Sequence, residues 1–337
     1  MYTQWQQTTM IQSFDTLLNK FKAYLAANPF EKEPVGLYQP VDYILNLGGK
    51  RIRPVLLLMA GNLFTDKIEH SLPAAYAIEI FHCFSLVHDD IMDAAPLRRG
   101  KPAVHVKYGS NSGILSGDVM LIHAYGYLLK STRHMEDPRA VLDIFNRVAI
   151  EVCEGQQMDM DFETRDDVSI PEYLKMIELK TSVLIGGALE VGALISGASD
   201  TDARLLADFG KNIGLAFQLQ DDILDTFGDS ASFGKKIGGD IAQNKKTYLY
   251  LKARDRADAT TLATLDRLYA NDTKTEESEK IKTVTDIFTK LAIQEDTERL
   301  KEDYLSQAFK ALDSLSVSKD RKEHLVALSN KLMGRKV

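Results

Sequence analysis

The sequence predicts an all-α protein, a bundle of roughly ten to fourteen helices at typical helix lengths. Apolar residues recur at three- and four-residue intervals through most of the chain, as in IQSFDTLLNKFKAYL from Ile11 and PAAYAIEIFHCFSLVHDDIMD from Pro73. Short alternating β-branched runs between turn pairs, the signature of strands, are scarce. Glycine and proline fall where helices begin or chains turn. Gly48-Gly49 precede a segment containing Pro54, Ser71-Leu72-Pro73 opens another, and Ala95-Pro96 with Gly100-Lys101-Pro102 mark a loop.

The remaining features fit one soluble domain over residues 1–337, since no linker or repeat interrupts the chain. Apolar residues make up 45% and charged residues 26%, an ordinary globular balance. A net charge of -7 argues against a nucleic-acid partner, which would call for a basic face. Cys83 and Cys153 are too few for a disulfide framework, so a reducing cytoplasm is expected. The start, MYTQWQQTTMIQ, lacks the pattern of a secretory signal. The most apolar run, SVLIGGALEVGALISGA, carries Glu190 in its middle, so no stable membrane insertion is expected. Its glycines lack the strand-then-turn setting of a phosphate loop and suit close helix packing instead. NDTKTEESEKIK, from Asn271 to Lys282, reads as a solvated connection or surface helix, and the end GRKV as a solvated tail in preference to a segment that closes over an active site.

Two acidic clusters suggest chemistry. In DDIMD, Asp89 and Asp93 stand four apart and share one helical face. Two like charges there repel unless a cation lies between them, and Mg²⁺ fits, taking one or two carboxylates and completing its shell with water and substrate phosphate. A solvated acidic helix end would explain one such motif. QLQDDILD repeats it at Asp221, Asp222 and Asp225, again after an apolar helical run, and two chance matches are on the order of a few percent likely. Gln218 shares the face of Asp221 and Asp225, and His82 lies two turns before Asp89. A lone histidine on an apolar helix is more often a satisfied core group.

Cations accompany both clusters. Lys50, Arg51 and Arg53 sit at a glycine-to-helix junction, and Arg98 and Arg99 follow the first motif. Arginine forks grip phosphate through two bonds, which makes these credible diphosphate clamps. Lys180 and Thr181 stand in LKT, and Lys235, Lys236, Asp240, Lys245 and Lys246 follow the second motif.

Taken in order, GGKRIRP, DDIMD with LRRG, Gly117-Asp118, GQQMDM, LKT, QLQDDILD and FGKKIGGD resemble the trans-prenyltransferases, the polyprenyl diphosphate synthases, over about residues 40 to 250. The resemblance implies an isoprenoid-synthase bundle around a central apolar cavity, usually a homodimer, joining isopentenyl diphosphate head-to-tail to an allylic diphosphate. Matched by motif, Asp89, Asp93 and Asp221 would bind Mg²⁺, with Asp225 beside them and Asp90 and Asp222 in support. Three ions are expected with substrate bound. Arg98, Lys180, Gln218 and Lys235 would hold the allylic diphosphate, with Lys245 also on the substrate. Gly49, Lys50, Arg53, His82 and Arg99 would hold isopentenyl diphosphate. Thr181 and Gln218 would face the developing cation, and the released diphosphate would take the final proton.

The growing tail should run down the apolar helix ahead of Asp89, where Ser85, His82 and Ile78 share its face on an ideal wheel. Ser85 is small, and Ile78 lies about 16 Å below, a floor for a medium chain. In the resembling family an aromatic five positions before the first aspartate, here Phe84, shortens the product. A second aromatic at position 85 is absent, as is a two-residue insertion in the first motif. Both departures favour geranylgeranyl diphosphate, of twenty carbons, over farnesyl diphosphate, of fifteen. A terpene cyclase is one rival, but it would bind a single diphosphate and usually carries a different second motif. A non-catalytic synthase subunit is another, and such subunits typically lose an aspartate motif.

Overall fold

The computed structural model describes residues 11–228, 237–270 and 275–334, and they are overwhelmingly helical, as expected. Among these residues the only strands are Leu97–Arg98 and Lys101–Pro102, a two-rung antiparallel hairpin inside the loop marked by Pro96 and Pro102. Contacts group the chain into two compact units. One comprises Met1–Val148, Leu184–Ala207 and Ser314–Leu325, and the other Ala149–Val183, Asp208–Asp313 and Val326–Val337.

The first unit is built around α4 (Leu72–Met92), which packs against α3 (Ile52–Asn62) and α6 (Ser110–Ser131). Its central position follows from composition: apolar side chains surround the axis, and Tyr76, Ile78, Ile80, Phe81 and Val87 are all buried. Around it lie α1 (Phe14–Ala26), capped by the Ser13 hydroxyl, α2 (Val35–Asn46) and the short α5 (Val104–Tyr108). The small-residue run forms α9 (Val183–Ile195). A Cβ on Gly192 would strike the Leu57 carbonyl of α3, and one on Gly187 would lie 2.6 Å from Val148, so these glycines allow the helix contact expected of them. Glu190 is tolerated in that apolar stretch because Arg147, on α7 (Arg139–Thr164), donates to it at 2.7 Å.

The second unit takes the end of α7, then α8 (Ile170–Ile177), which opens on a Ser169–Glu172 capping box. A five-residue π-turn, Glu178–Ser182, follows. Beyond it come α10 (Asp200–Phe227), α11 (Gly239–Ala242), α12 (Tyr248–Arg256), α13 (Ala259–Tyr269), α14 (Glu277–Lys290) and α15 (Ile293–Asp313). The core here gathers Leu219, Ile241, Tyr248, Tyr250, Leu265, Val284 and Phe288. α16 (Lys319–Met333) closes the described chain. No helix among the described residues is long and apolar enough to cross a membrane.

Residues 277–282 of the charged stretch begin α14, where Glu277, Ser278 and Glu279 are exposed as a surface helix requires, but Lys280 among them is only 4% exposed. Its ammonium finds acceptors at the end of α11 and on the loop after it, a tertiary match that local composition cannot show. The first four residues of that stretch and the last three of GRKV lie outside the described residues.

Candidate active site

In the first unit, α4 carries Asp89 and Asp90 in its last turn and ends at Met92, with Asp93 capping it. Asp89 and Asp93 therefore project one turn apart on one face, as expected. Asp90 points inward and is fully buried. The Arg98 Nε donates to both its oxygens, at 3.0 and 3.1 Å, and the Arg98 fork also approaches Asp89 at 3.6 Å. The hairpin thus folds its arginine back onto the acidic motif, and these carboxylates hold the Arg98 guanidinium charged despite its burial.

The basic residues assemble in the same unit. Gly48 and Gly49 take positive φ, of 85° and 116°, and bring the chain against Arg99, whose guanidinium donates to the Gly48 carbonyl. A Cβ on Gly49 would stand 2.7 Å from that guanidinium carbon. The Arg53 fork donates to His82 Nε2 at 3.4 Å. Burial and the neighbouring Arg53, Arg99, Arg98 and Arg51 push His82 well below its usual pKa, so the ring is neutral and can accept that bond. Lys50, next in the chain to Gly49, is exposed.

Arg51 departs from the expected clamp. Left-handed at φ 50°, it is turned inward, where it pairs with buried Glu79 and donates to the Leu45 carbonyl. Glu79 also accepts from the Cys83 thiol at 3.8 Å, and burial pushes that thiol up to about 12. A single acid inside the apolar half of α4 was the signal for this pair.

Among the chain-length candidates, Ile78 is buried and the Ser85 hydroxyl donates to the His82 carbonyl at 2.9 Å. Phe84 packs edge-on against His88, with ring centres 4.9 Å apart, and against Phe81 at 5.5 Å. His88 also explains Gly117: a Cβ there would collide with its ring, and the His88 Nε2 lies 3.1 Å from the Ile114 carbonyl.

In the second unit, Lys180 and Thr181 sit in the π-turn, a widening of the helix common at functional sites. Lys180 pairs with Asp159 of the GQQMDM segment at 2.5 Å. That segment approaches closely because Gly155 has no side chain; a Cβ there would strike the Lys180 backbone. Gly155→Ala is therefore expected to cost about 1–3 kcal/mol of stability, measurable by thermal unfolding.

The three aspartates of α10 divide their tasks. Asp222 is buried, accepting from the Tyr173 hydroxyl at 2.5 Å and the Gln218 amide at 3.2 Å. Gln218, expected to align with Asp221 and Asp225, directs one amide N–H to Asp222. Burial and nearby Asp240 push Asp222 up to about 8. Asp225 accepts from the Asp240 N–H at 3.0 Å, and so caps the turn that begins the lysine loop. Lys245 pairs with Asp240 at 3.5 Å, and Lys246 donates to the Phe162 and Arg165 carbonyls. Lys235 and Lys236 lie outside the described residues.

The donor chemistry fits hard divalent cations. Each cluster offers carboxylate oxygens one helical turn apart, crowded by further acids. Among the described residues no group of three or more His, Cys, Asp or Glu is placed to hold an ion unaided. Mg²⁺ asks for less, since substrate phosphate and water fill most of its shell.

A family model, polyprenyl synthetase, matches residues 34–288. A crystal structure of a geranylgeranyl pyrophosphate synthase superposes with a TM-score of 0.90, at 47% identity, covering 97% of this chain and 100% of that one. The geranylgeranyl diphosphate synthase of Sulfolobus acidocaldarius is 38% identical over 84% of this chain and 86% of its own length. A geranylfarnesyl diphosphate synthase from Natronomonas pharaonis is 41% identical over 67% of this chain and 71% of its own.

Proposed function

This chain belongs to the polyprenyl synthetase family and is a prenyltransferase, and we propose that it condenses isopentenyl diphosphate head-to-tail with allylic diphosphates to all-trans geranylgeranyl diphosphate, releasing diphosphate. The observation that carries this reading is the second anion site. Gly49, Arg53, His82 and Arg99 gather in one unit, in addition to two aspartate clusters with their own cations. A cyclase, with one diphosphate to bind, has no use for that group.

In this reading Asp89 and Asp93, with Asp221 and Asp225, hold Mg²⁺, three ions when substrate is bound. Bound there, Mg²⁺ supplies charge neutralisation to the departing diphosphate. Lys180, Arg98, Gln218, Lys235 and Lys245 hold the allylic diphosphate, so that the leaving charge is met by cations. Gly49, Lys50, Arg53, His82 and Arg99 orient isopentenyl diphosphate, with neutral His82 able to bond it without adding charge. Apolar walls keep water from quenching the allylic cation. Thr181 and Gln218 face that cation, and the diphosphate itself accepts the proton lost at the end. The enzyme is further proposed to be one catalytic domain, homodimeric and cytoplasmic.

The relation to a geranylgeranyl synthase at 47% identity supports a twenty-carbon product, with Phe84 limiting further growth. Phe84→Ala is expected to shift products toward longer chains, read by mass spectrometry; an unchanged distribution would remove Phe84 as the limit. The reaction class is tested by diphosphate release from purified protein. It should need both an allylic diphosphate and isopentenyl diphosphate, plus Mg²⁺, whereas release from the allylic substrate alone would indicate a cyclase.

A further inference from the structure

We propose that Lys280 is a positioning residue for the second aspartate cluster, holding the loop that orients Asp225 and presents Asp240 and Lys245. The inference rests on the reading of Asp221 and Asp225 as a metal and diphosphate site.

Lys280 lies in the first turn of α14, yet is 4% exposed. A buried ammonium is costly unless its protons are bonded. Here Nζ donates to the carbonyl of Ala242, the last residue of α11, at 3.3 Å and to the Asn244 side-chain oxygen on the loop after it. The Tyr269 ring lies 5.2 Å from it and stacks on Tyr250 at 3.9 Å, so the ammonium has little room to move. Asn244 is left-handed, at φ 58°, a conformation asparagine tolerates better than most residues. The next residue of α14, Ile281, fits beneath Gly238, where a Cβ would come within 2.5 Å of it. Two successive residues of α14 therefore seat both ends of the 238–244 segment.

That segment is wired to the aspartates. The Gly238 N–H donates to the Asp225 carbonyl at 2.6 Å and the Asp240 N–H to the Asp225 carboxylate at 3.0 Å. The Lys245 N–H donates to the Asp240 carbonyl at 2.9 Å, and its ammonium pairs with the Asp240 carboxylate. Releasing Asn244 lets this turn shift, and with it the Asp240 N–H that helps to aim the Asp225 carboxylate. If Lys280 served stability alone, an apolar side chain of the same length would fill its place without the desolvation cost of a charge.

The test uses Lys280→Met, which keeps the stem, and Asn244→Gly, which keeps the left-handed backbone while removing the acceptor. Lys282→Met, at an exposed position on the same helix, is the control. Both variants are expected to raise KM for the allylic diphosphate and the half-saturating Mg²⁺ concentration roughly tenfold, with kcat within about threefold. The double variant should be no worse than Lys280→Met alone, because the bond that Asn244→Gly removes is already lost there. Native KM and Mg²⁺ dependence in both variants would overturn the proposal, as would additive losses that track a fall in Tm. If Lys280→Met fails to fold, Asn244→Gly decides by the same readouts. If the native protein does not turn over, the reaction reading fails by itself, and calorimetric binding of inorganic diphosphate with Mg²⁺ still decides: about tenfold weaker binding in Asn244→Gly supports positioning, and equal binding refutes it.

Discussion

Asp89→Ala is expected to lower kcat/KM for the allylic diphosphate by about 10²–10³-fold, with the protein still folded. Asp89 lies partly buried in the last turn of α4, with Asp93 one turn on at the helix end. Its partner Arg98 keeps Asp90, to which it is bound through Nε, so removing the Asp89 carboxylate leaves the buried pair intact. The charge lost is the one proposed to hold Mg²⁺ against the leaving diphosphate. Asp90→Ala should behave differently: it strips the buried partner from Arg98 and should lower stability as well as rate. Steady-state kinetics with thermal unfolding on both variants separate the two roles. Activity within threefold of native in Asp89→Ala would remove Asp89 from the site.

Arg51→Met should act in the opposite sense, costing stability without touching substrate affinity. The Arg51–Glu79 pair is buried at both ends, and removing the cation strands a carboxylate whose remaining neighbour is the weak Cys83 donor. Breaking such a pair costs about 3–5 kcal/mol. Replacing both, as Arg51→Met with Glu79→Leu, should recover most of that loss, because two apolar groups need no partner. Denaturant unfolding of the single and double variants gives the comparison. The folded fraction of Arg51→Met should keep native KM values for both diphosphates, and a selective rise in KM for isopentenyl diphosphate would restore Arg51 as a clamp.

These two sites also mark what is legible in sequence. Motif spacing was enough to place Asp89 with Asp93, since one helical turn is a local property. The packing role of Gly192 followed equally from its surroundings, small residues in an apolar helix. Arg51 could not be separated from Lys50 and Arg53 in the same way. Three cations in four residues look alike until the left-handed turn at Arg51 directs one of them inward to an acid 28 residues later. The partners of Asp222 were hidden for the same reason: Tyr173 is 49 residues away, and nothing in its own segment marks it. Lys280 shows the limit most clearly, because its charged neighbours describe the outer face of α14 while its own side chain turns to a loop 36 residues earlier. Local periodicity reveals elements and faces; the pairing of buried polar groups is decided by which elements meet.

The central claim is tested most directly by the mass of the product. Purified protein with Mg²⁺ is given isopentenyl diphosphate and dimethylallyl, geranyl or farnesyl diphosphate, and the dephosphorylated products are identified by mass spectrometry, with a chelator control. The expected result is the all-trans twenty-carbon alcohol from each starter, abolished by the chelator. Failure to extend any allylic starter, or a cyclised hydrocarbon from the allylic substrate alone, would contradict it.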